Sequence, residues 1–192
     1  TPTRRQRQMC IRDRYMSISK ITKNLQGQKK KFPPVNEWNP EICEGQEFFI
    51  NREGDWYYNN SPIKNYKLIK LFSTVLRKDE SNYFLVTPVE KVPVKVDLAP
   101  YKIIDFIICE KTITLKTNLN YDFELDQHNT TKLIKENDTL IPIVNVRNNI
   151  EGFFNRNTYY KLIDWALEKN LIKDNFLYIP SNNYNHIIGK IA

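Results

Sequence analysis

The chain has 192 residues, of which 41% are apolar and 27% charged. That is enough for one well-buried core or two small ones, without an apolar run of the roughly 18 residues that a membrane span needs. Three cysteines, at positions 10, 43 and 109 and none in a C-x-x-C pair, exclude a disulfide framework and a cysteine-built zinc site. The net charge of +7 would ordinarily indicate nucleic acid or an anionic membrane surface, yet residues 1 to 31 hold ten basic groups against Asp13 while the other 161 are net −2.

Five of the nine arginines fall in the first 14 residues. The stretch from Arg4 to Arg14 looks like the in-frame translation of a transposase-type sequencing adapter. Residues 1–15 are therefore set aside as a library artefact rather than a nucleic-acid-binding arm. Without them the formal charge is +3, and nucleic acid is not an expected partner. Met16 is then a candidate native start, unless the true start lies upstream. Residues 16–40, with Lys20, Lys23, Lys29, Lys30 and Lys31 ahead of Phe32-Pro33-Pro34, read as a solvated polar segment. No apolar leader follows Met16, and unpaired cysteines fit the cytoplasm.

From Trp38 onward the chain reads as folded. Phe48–Ile50 and Trp56–Tyr58 predict two strands around a turn at Gly54. Leu68, Ile69, Leu71, Phe72, Val75 and Leu76 recur at helical spacing and predict a helix of three to four turns from Tyr66. Tyr83–Pro88 and the alternating Val92, Val94 and Val96 predict strands, with Pro93 placing the second near a sheet edge. Ile103–Cys109, Thr112–Lys116 and Tyr121–Asp126 predict three more, the last two joined at Asn118-Leu119-Asn120, and Ile141–Val146 a further one. Tyr159, Leu162, Ile163, Ala166 and Leu167 predict a second helix, capped by Asn157 or Thr158, before a strand at Phe176–Ile179.

Tyr66-Lys67-Leu68-Ile69 and Tyr160-Lys161-Leu162-Ile163 are identical, and each precedes an aromatic strand that ends in proline, Phe84–Pro88 and Phe176–Pro180. The expectation is an α+β chain in two parts with a duplicated helix–strand motif: an N-terminal subdomain over 41–98 and a C-terminal one over 99–192. The boundary between them is a favoured place for a ligand.

No cofactor is indicated, because G-x-G-x-x-G, G-x-x-x-x-G-K-[ST], H-E-x-x-H and G-x-S-x-G are all absent. Cys109 and His128 read as a buried inert thiol and a surface histidine rather than a catalytic pair. Thr87, Glu90 and Lys91 group a hydroxyl, a carboxylate and an ammonium beside Pro88. Arg147 and Arg156 are retained where lysine is otherwise used, which suits a bidentate contact to phosphate or carboxylate.

The blocks Arg52–Tyr58, Ser61-Pro62-Ile63, Lys70–Arg77 and Tyr83–Lys91, followed by Thr117-Asn118, Arg147 and Arg156 ahead of Tyr159–Leu162, resemble the proteobacterial DUF1285 family over about residues 40–181. The resemblance implies a repeated motif and a C-terminal half similar to a pleckstrin-homology-like barrel or sheet with a helix. It also implies a ligand between the halves, nucleotide-like and connected with signalling. Family members tend to carry an arginine two residues after Ser-Pro-Ile where this chain has Asn65; if that arginine contacts an anion, either affinity is lower here or Lys64 substitutes. The expectation is a non-catalytic small-ligand or regulatory module, with Thr87, Glu90, Lys91, Arg147 and Arg156 holding a nucleotide-like or other anionic molecule. The alternative is a protein–protein interaction module that uses the pleckstrin-like half.

Overall fold

The computed structural model describes residues 32–43 and 45–191; the adapter-like stretch and Lys20 to Lys31 lie outside them. A short 3-10 turn at Val35–Glu37 leads into β1 (Phe48–Ile50), β2 (Trp56–Tyr58), β3 (Ser61–Pro62), α1 (Tyr66–Thr74), β4 (Leu76–Asp79), β5 (Asn82–Val86) and β6 (Lys91–Val96). These strands form a six-stranded sheet in the order β3-β2-β1-β6-β5-β4. All its pairings are antiparallel except that of β1 with β6 at its centre. The β1–β2 turn is built by Asn51, whose Oδ1 accepts the Glu53 and Asp55 N–H groups at 3.0 and 2.8 Å. Gly54 there sits at φ +81°, which an L side chain rarely adopts.

The second half runs β7 (Tyr101–Cys109), β8 (Thr112–Thr117), β9 (Asp122–Glu124), β10 (Thr131–Glu136), β11 (Thr139–Arg147), β12 (Ile150–Phe154), α2 (Arg156–Glu168), β13 (Ile172–Lys173), β14 (Phe176–Ser181) and β15 (Tyr184–Lys190). Its six-stranded sheet has the order β10-β11-β12-β7-β8-β9, with β12 and β7 as the central parallel pair. The last three strands form a small antiparallel sheet that lies against β10 and β11 through β15, while α2 packs on β7 and β14.

Five of the two-residue hairpin turns are asparagine and aspartate pairs with both residues at positive φ: Asn59-Asn60, Asn137-Asp138, Asn148-Asn149, Asp174-Asn175 and Asn182-Asn183. This is the backbone of a type I′ turn, whose twist matches the flanking strands and which asparagine tolerates better than other side-chain-bearing residues. One core of buried residues runs through both halves, from Phe48, Trp56, Phe72 and Leu85 to Tyr101, Leu115, Ile150, Leu162 and Ile179.

The architecture corrects several expectations. The chain is mostly β, with two α-helices among the described residues against fifteen strands, so it is not an α+β fold with duplicated helix–strand motifs. The matching tetrapeptides fall at different places: Tyr66 opens α1 just after its N-cap Asn65, whereas Tyr160 is the fifth residue of α2, capped by Asn155 rather than Asn157 or Thr158. The strands that follow them join different sheets. The C-terminal half is an open six-stranded sheet with a three-stranded one rather than a pleckstrin-like barrel.

Nor is β6 an edge strand, since it lies between β1 and β5. Pro93 is paired with Phe84 on the β5 side, but on the β1 side the ladder has a gap at this position, between the Ile42–Lys91 bridge and the first β1 pair, Phe48–Val94, and the missing N–H is tolerated there. The first helix stops at Thr74, two and a half turns long, and Leu76 begins a strand. Among the described residues no helix is long and apolar enough to cross a membrane.

Gly152 lies where β12 passes β7, and a Cβ there would sit 2.8 Å from Val146 Cγ2 and 3.3 Å from Tyr101. Gly152→Ala should cost about 1–3 kcal/mol through overpacking. Urea unfolding should show a lower midpoint with an unchanged slope.

Candidate functional site

The helix α1 ends with no basic residue in its last turn, and the carbonyls there are capped one by one. The Ser73 hydroxyl donates to Lys70 O and the Thr74 hydroxyl to Leu71 O, each at 2.7 Å, and Val75 N–H donates to Phe72 O. The Ser73 carbonyl is reached from the other half of the molecule, by Arg147 Nη2 at 2.5 Å. Arg147 also donates to Leu76 O and, through Nε, to the Tyr101 hydroxyl at 3.1 Å. A register shift between Asn145 and Arg147 near the end of β11 leaves Val146 and Arg147 both buried in succession, which is how a bulge turns a side chain inward. The Phe32 ring covers the guanidinium at 4.2 Å and meets Tyr121 edge-on. A cation at a helix C-terminus is favoured by the helix dipole, and this one serves as a cap between the halves.

Of the residues singled out from sequence, Thr87, Glu90 and Lys91 share the β5–β6 turn, and Arg147 and Arg156 make separate contacts. Thr87 is buried at the end of β5, where its Oγ1 accepts the Val89 and Glu90 N–H groups and so shapes the β5–β6 turn. Glu90 lies in that turn. Lys91 donates to Asp79 Oδ2 at 2.6 Å and sits over the Phe84 ring. Asp79 also pairs with Arg77, so its carboxyl stays below the usual range although burial pulls the other way. Arg147 is the inter-half cap just described, and Arg156 is exposed at the start of α2, bonded to Tyr160. Cys109 is exposed, not buried as expected, because it ends β7 at a two-residue turn.

What does lie between the halves is a cavity of about 340 Å³. Trp56 and Tyr57 from β2, Ile63 and Lys64 ahead of α1, and Tyr66 and Ile69 on it form one side, and Asn118 and Leu119 of the β8–β9 turn the other. The Tyr66 hydroxyl ties the two sides by donating to Asn118 O at 3.2 Å. Trp56 is buried, and its indole N–H has no acceptor among the described residues. Asn65 is occupied as the helix cap, accepting from Lys67 and Leu68 N–H. The aromatic run Trp56-Tyr57-Tyr58 was the sequence signal for this wall, but it reads first as a strand.

Away from the cavity the halves are clamped by ions. Arg52 forms a two-pronged pair with Glu136, one arm at 3.0 Å. Glu151 accepts from Lys78 at 2.8 Å and from the Tyr83 hydroxyl, and pairs with Lys132. Burial alone would raise the Glu151 pKa, but Lys132 and Lys78 hold it below its ordinary value. Burial and Glu151 together push the Tyr83 phenol up. His186 on β15 is 1% exposed, with neither ring nitrogen paired among the described residues, and burial lowers its pKa against the opposing pull of Ser181 and Asp126.

Two outcomes follow from these contacts. Arg147→Ala strips the cap from two carbonyls and a phenol and should destabilise by about 2–4 kcal/mol, with Arg147→Lys restoring little because an ammonium cannot fork; thermal unfolding measures both. Because His186 is held neutral when folded, the unfolded chain takes up that proton first. Stability should therefore fall as pH drops below the ordinary histidine pKa of 6.5, and His186→Leu should flatten that slope. The depressed Glu151 and Asp79 begin to lose their contribution only as the pH falls into the ordinary carboxylate range, and go on losing it below, so the change in urea unfolding between pH 7.5 and 5.5 reports the histidine.

The family model for the N-terminal domain of DUF1285, a domain of unknown function, matches residues 33–99, and the model for its C-terminal domain matches residues 100–188. The chain is similar to the crystal structure of a DUF1285 family protein from Silicibacter pomeroyi DSS-3, at 27% identity and a TM-score of 0.76, covering 89% of this chain and 95% of that one. It is also similar to a DUF1285 family protein from Shewanella baltica OS155, at 28% identity and a TM-score of 0.52, covering 64% of this chain and 94% of that one. No curated protein matches it. The chain belongs to the DUF1285 family.

Proposed function

We propose that this protein is a non-catalytic ligand-binding or regulatory module that takes a nucleotide-like or other anionic small molecule in the cavity between its halves. The observation that carries the reading is the cavity's make-up: Tyr57 and Tyr66 on its walls, and the buried Trp56 behind them with an indole N–H that has no acceptor among the described residues. A planar ring fits between such walls, an acceptor on its edge satisfies the indole, and Lys64 supplies the cation for a phosphate or carboxylate. The volume of about 340 Å³ lies at the lower end of small-molecule sites. Arg147, in this reading, orders the walls from behind rather than touching the ligand.

The test is thermal unfolding of the chain against a panel of nucleotides and acidic metabolites. A ligand at a hundred times its Kd stabilises by about 2.7 kcal/mol, or roughly 5–10 °C at this size. The shift should be sharply reduced in Lys64→Ala, a surface change that leaves the unliganded Tm in place. A shift of equal size in Lys64→Ala and Trp56→Phe would place the ligand elsewhere. No shift across the panel would turn the assignment to a protein partner, sought next by pull-down.

A further inference from the structure

A second cavity, of about 480 Å³, opens in the C-terminal half and shares no lining residue with the one between the halves. Its apolar surface comes from Ile108 and Ile113 on β7 and β8, Trp165 on α2, Leu171 and Pro180. Two hairpin turns make one rim and are pinned to each other. Asn182 N–H donates to Lys111 O at 2.9 Å, the Thr112 hydroxyl donates to Asn182 Oδ1, and Ser181 Oγ accepts Ile113 N–H while donating to Leu125 O.

The opposite rim is the end of α2, closed with Asn170 at φ +52°, Asn170 N–H bonded to Leu167 O and Leu171 N–H to Ala166 O. That is the Schellman arrangement, which occupies the last carbonyls and fixes Leu171 in place. The cavity is therefore preformed, with little left to order on binding.

Charge selects its occupant. Lys111 stands on one rim and Lys169 on the other, and neither pairs with an acid among the described residues; Glu110 is the one carboxylate in the wall. We propose that this groove is a binding site for an amphiphilic monoanion: a flat aromatic or short acyl body laid on Trp165, Ile108 and Leu171, with one carboxylate or sulfonate held between the two lysines. A ligand of this kind satisfies both halves of the lining at once, whereas a cation would face two ammonium groups and a purely polar anion would leave the apolar floor wet.

The test uses 1-anilinonaphthalene-8-sulfonate on the folded full chain, followed by fluorescence, with octanoate and octylammonium as competitors matched in length and opposite in charge. The dye should bind saturably and be displaced by octanoate but not by octylammonium. Lys111→Ala with Lys169→Ala should weaken dye and octanoate by about tenfold or more, and the corresponding double glutamate variant should shift the preference toward octylammonium. Both positions changed are on the surface, so an unchanged Tm certifies that the variants fold. Lys64→Ala should leave dye binding untouched, which separates this site from the one between the halves. Equal displacement by the two competitors, affinity in the double alanine variant equal to that of the parent, or no saturable dye binding would each overturn the proposal.

Discussion

The burial of one guanidinium organises the boundary on which the two halves meet. Arg147 is inside the protein with a phenol and two carbonyls as its hydrogen-bond partners rather than a carboxylate. A buried cation is costly unless its donors are met, and these are met only if α1 ends where it does, Tyr101 stands beside it and Phe32 closes over the top. The same contacts let the helix stop abruptly at Thr74 and hand over to β4. Tyr101 is in turn paired with Gly152 across the central parallel strands, so the arginine, the glycine and the helix terminus form a single constraint. The positions of Tyr66 and Ile69 in the inter-half cavity follow from it, since α1 carries them.

Arginine scarcity was legible, and three of the four arginines bridge distant segments of the fold. Of the four arginines beyond the adapter-like stretch, Arg52 forks onto Glu136, Arg77 onto Val35 O, Trp38 O and Asp79, and Arg147 onto the end of α1. Each joins segments far apart in sequence, which is what a planar donor fork does better than lysine. Composition shows that such forks are kept but not whether the partner is a ligand or a distant carbonyl. Thr87 has the same ambiguity: a hydroxyl before a proline bend can face a ligand or the backbone of its own turn, and here it caps the turn.

The strands at Phe48, Trp56, Tyr83, Ile103, Ile113 and Tyr121 and both helices were readable from periodicity. The strands β3, β4, β10, β12, β13 and β15 were not, and their loss turned a mostly β chain into an expected α+β one. The missing signal was in the asparagines. Asn137-Asp138, Asn148-Asn149, Asp174-Asn175 and Asn182-Asn183 look like low-complexity filler beside the usual Asn-Gly hairpin, yet each occupies two left-handed positions in a tight turn. The inter-half cavity was legible only as a boundary, because Trp56 and Leu119 come together through sheet topology rather than through spacing. Pro93 misled for a related reason: its missing N–H faces a gap in the ladder that only the parallel partner creates.

The central parallel pairs carry a consequence for the order of events in folding. In each six-stranded sheet the middle is closed by the first strand of its half and a strand that arrives far later, β1 with β6 and β7 with β12. Hairpins on either side can form locally within microseconds, but neither sheet gains its spine until the late strand returns, a long-range closure that is slow by comparison. On a ribosome, the N-terminal sheet is completable once Val96 has emerged, whereas α1 waits for Arg147 to be capped. The nascent first half would then hold a finished sheet beside a helix whose Ser73 carbonyl still lacks its partner from the second half, and the junction between the halves would be the last part of the protein to become native.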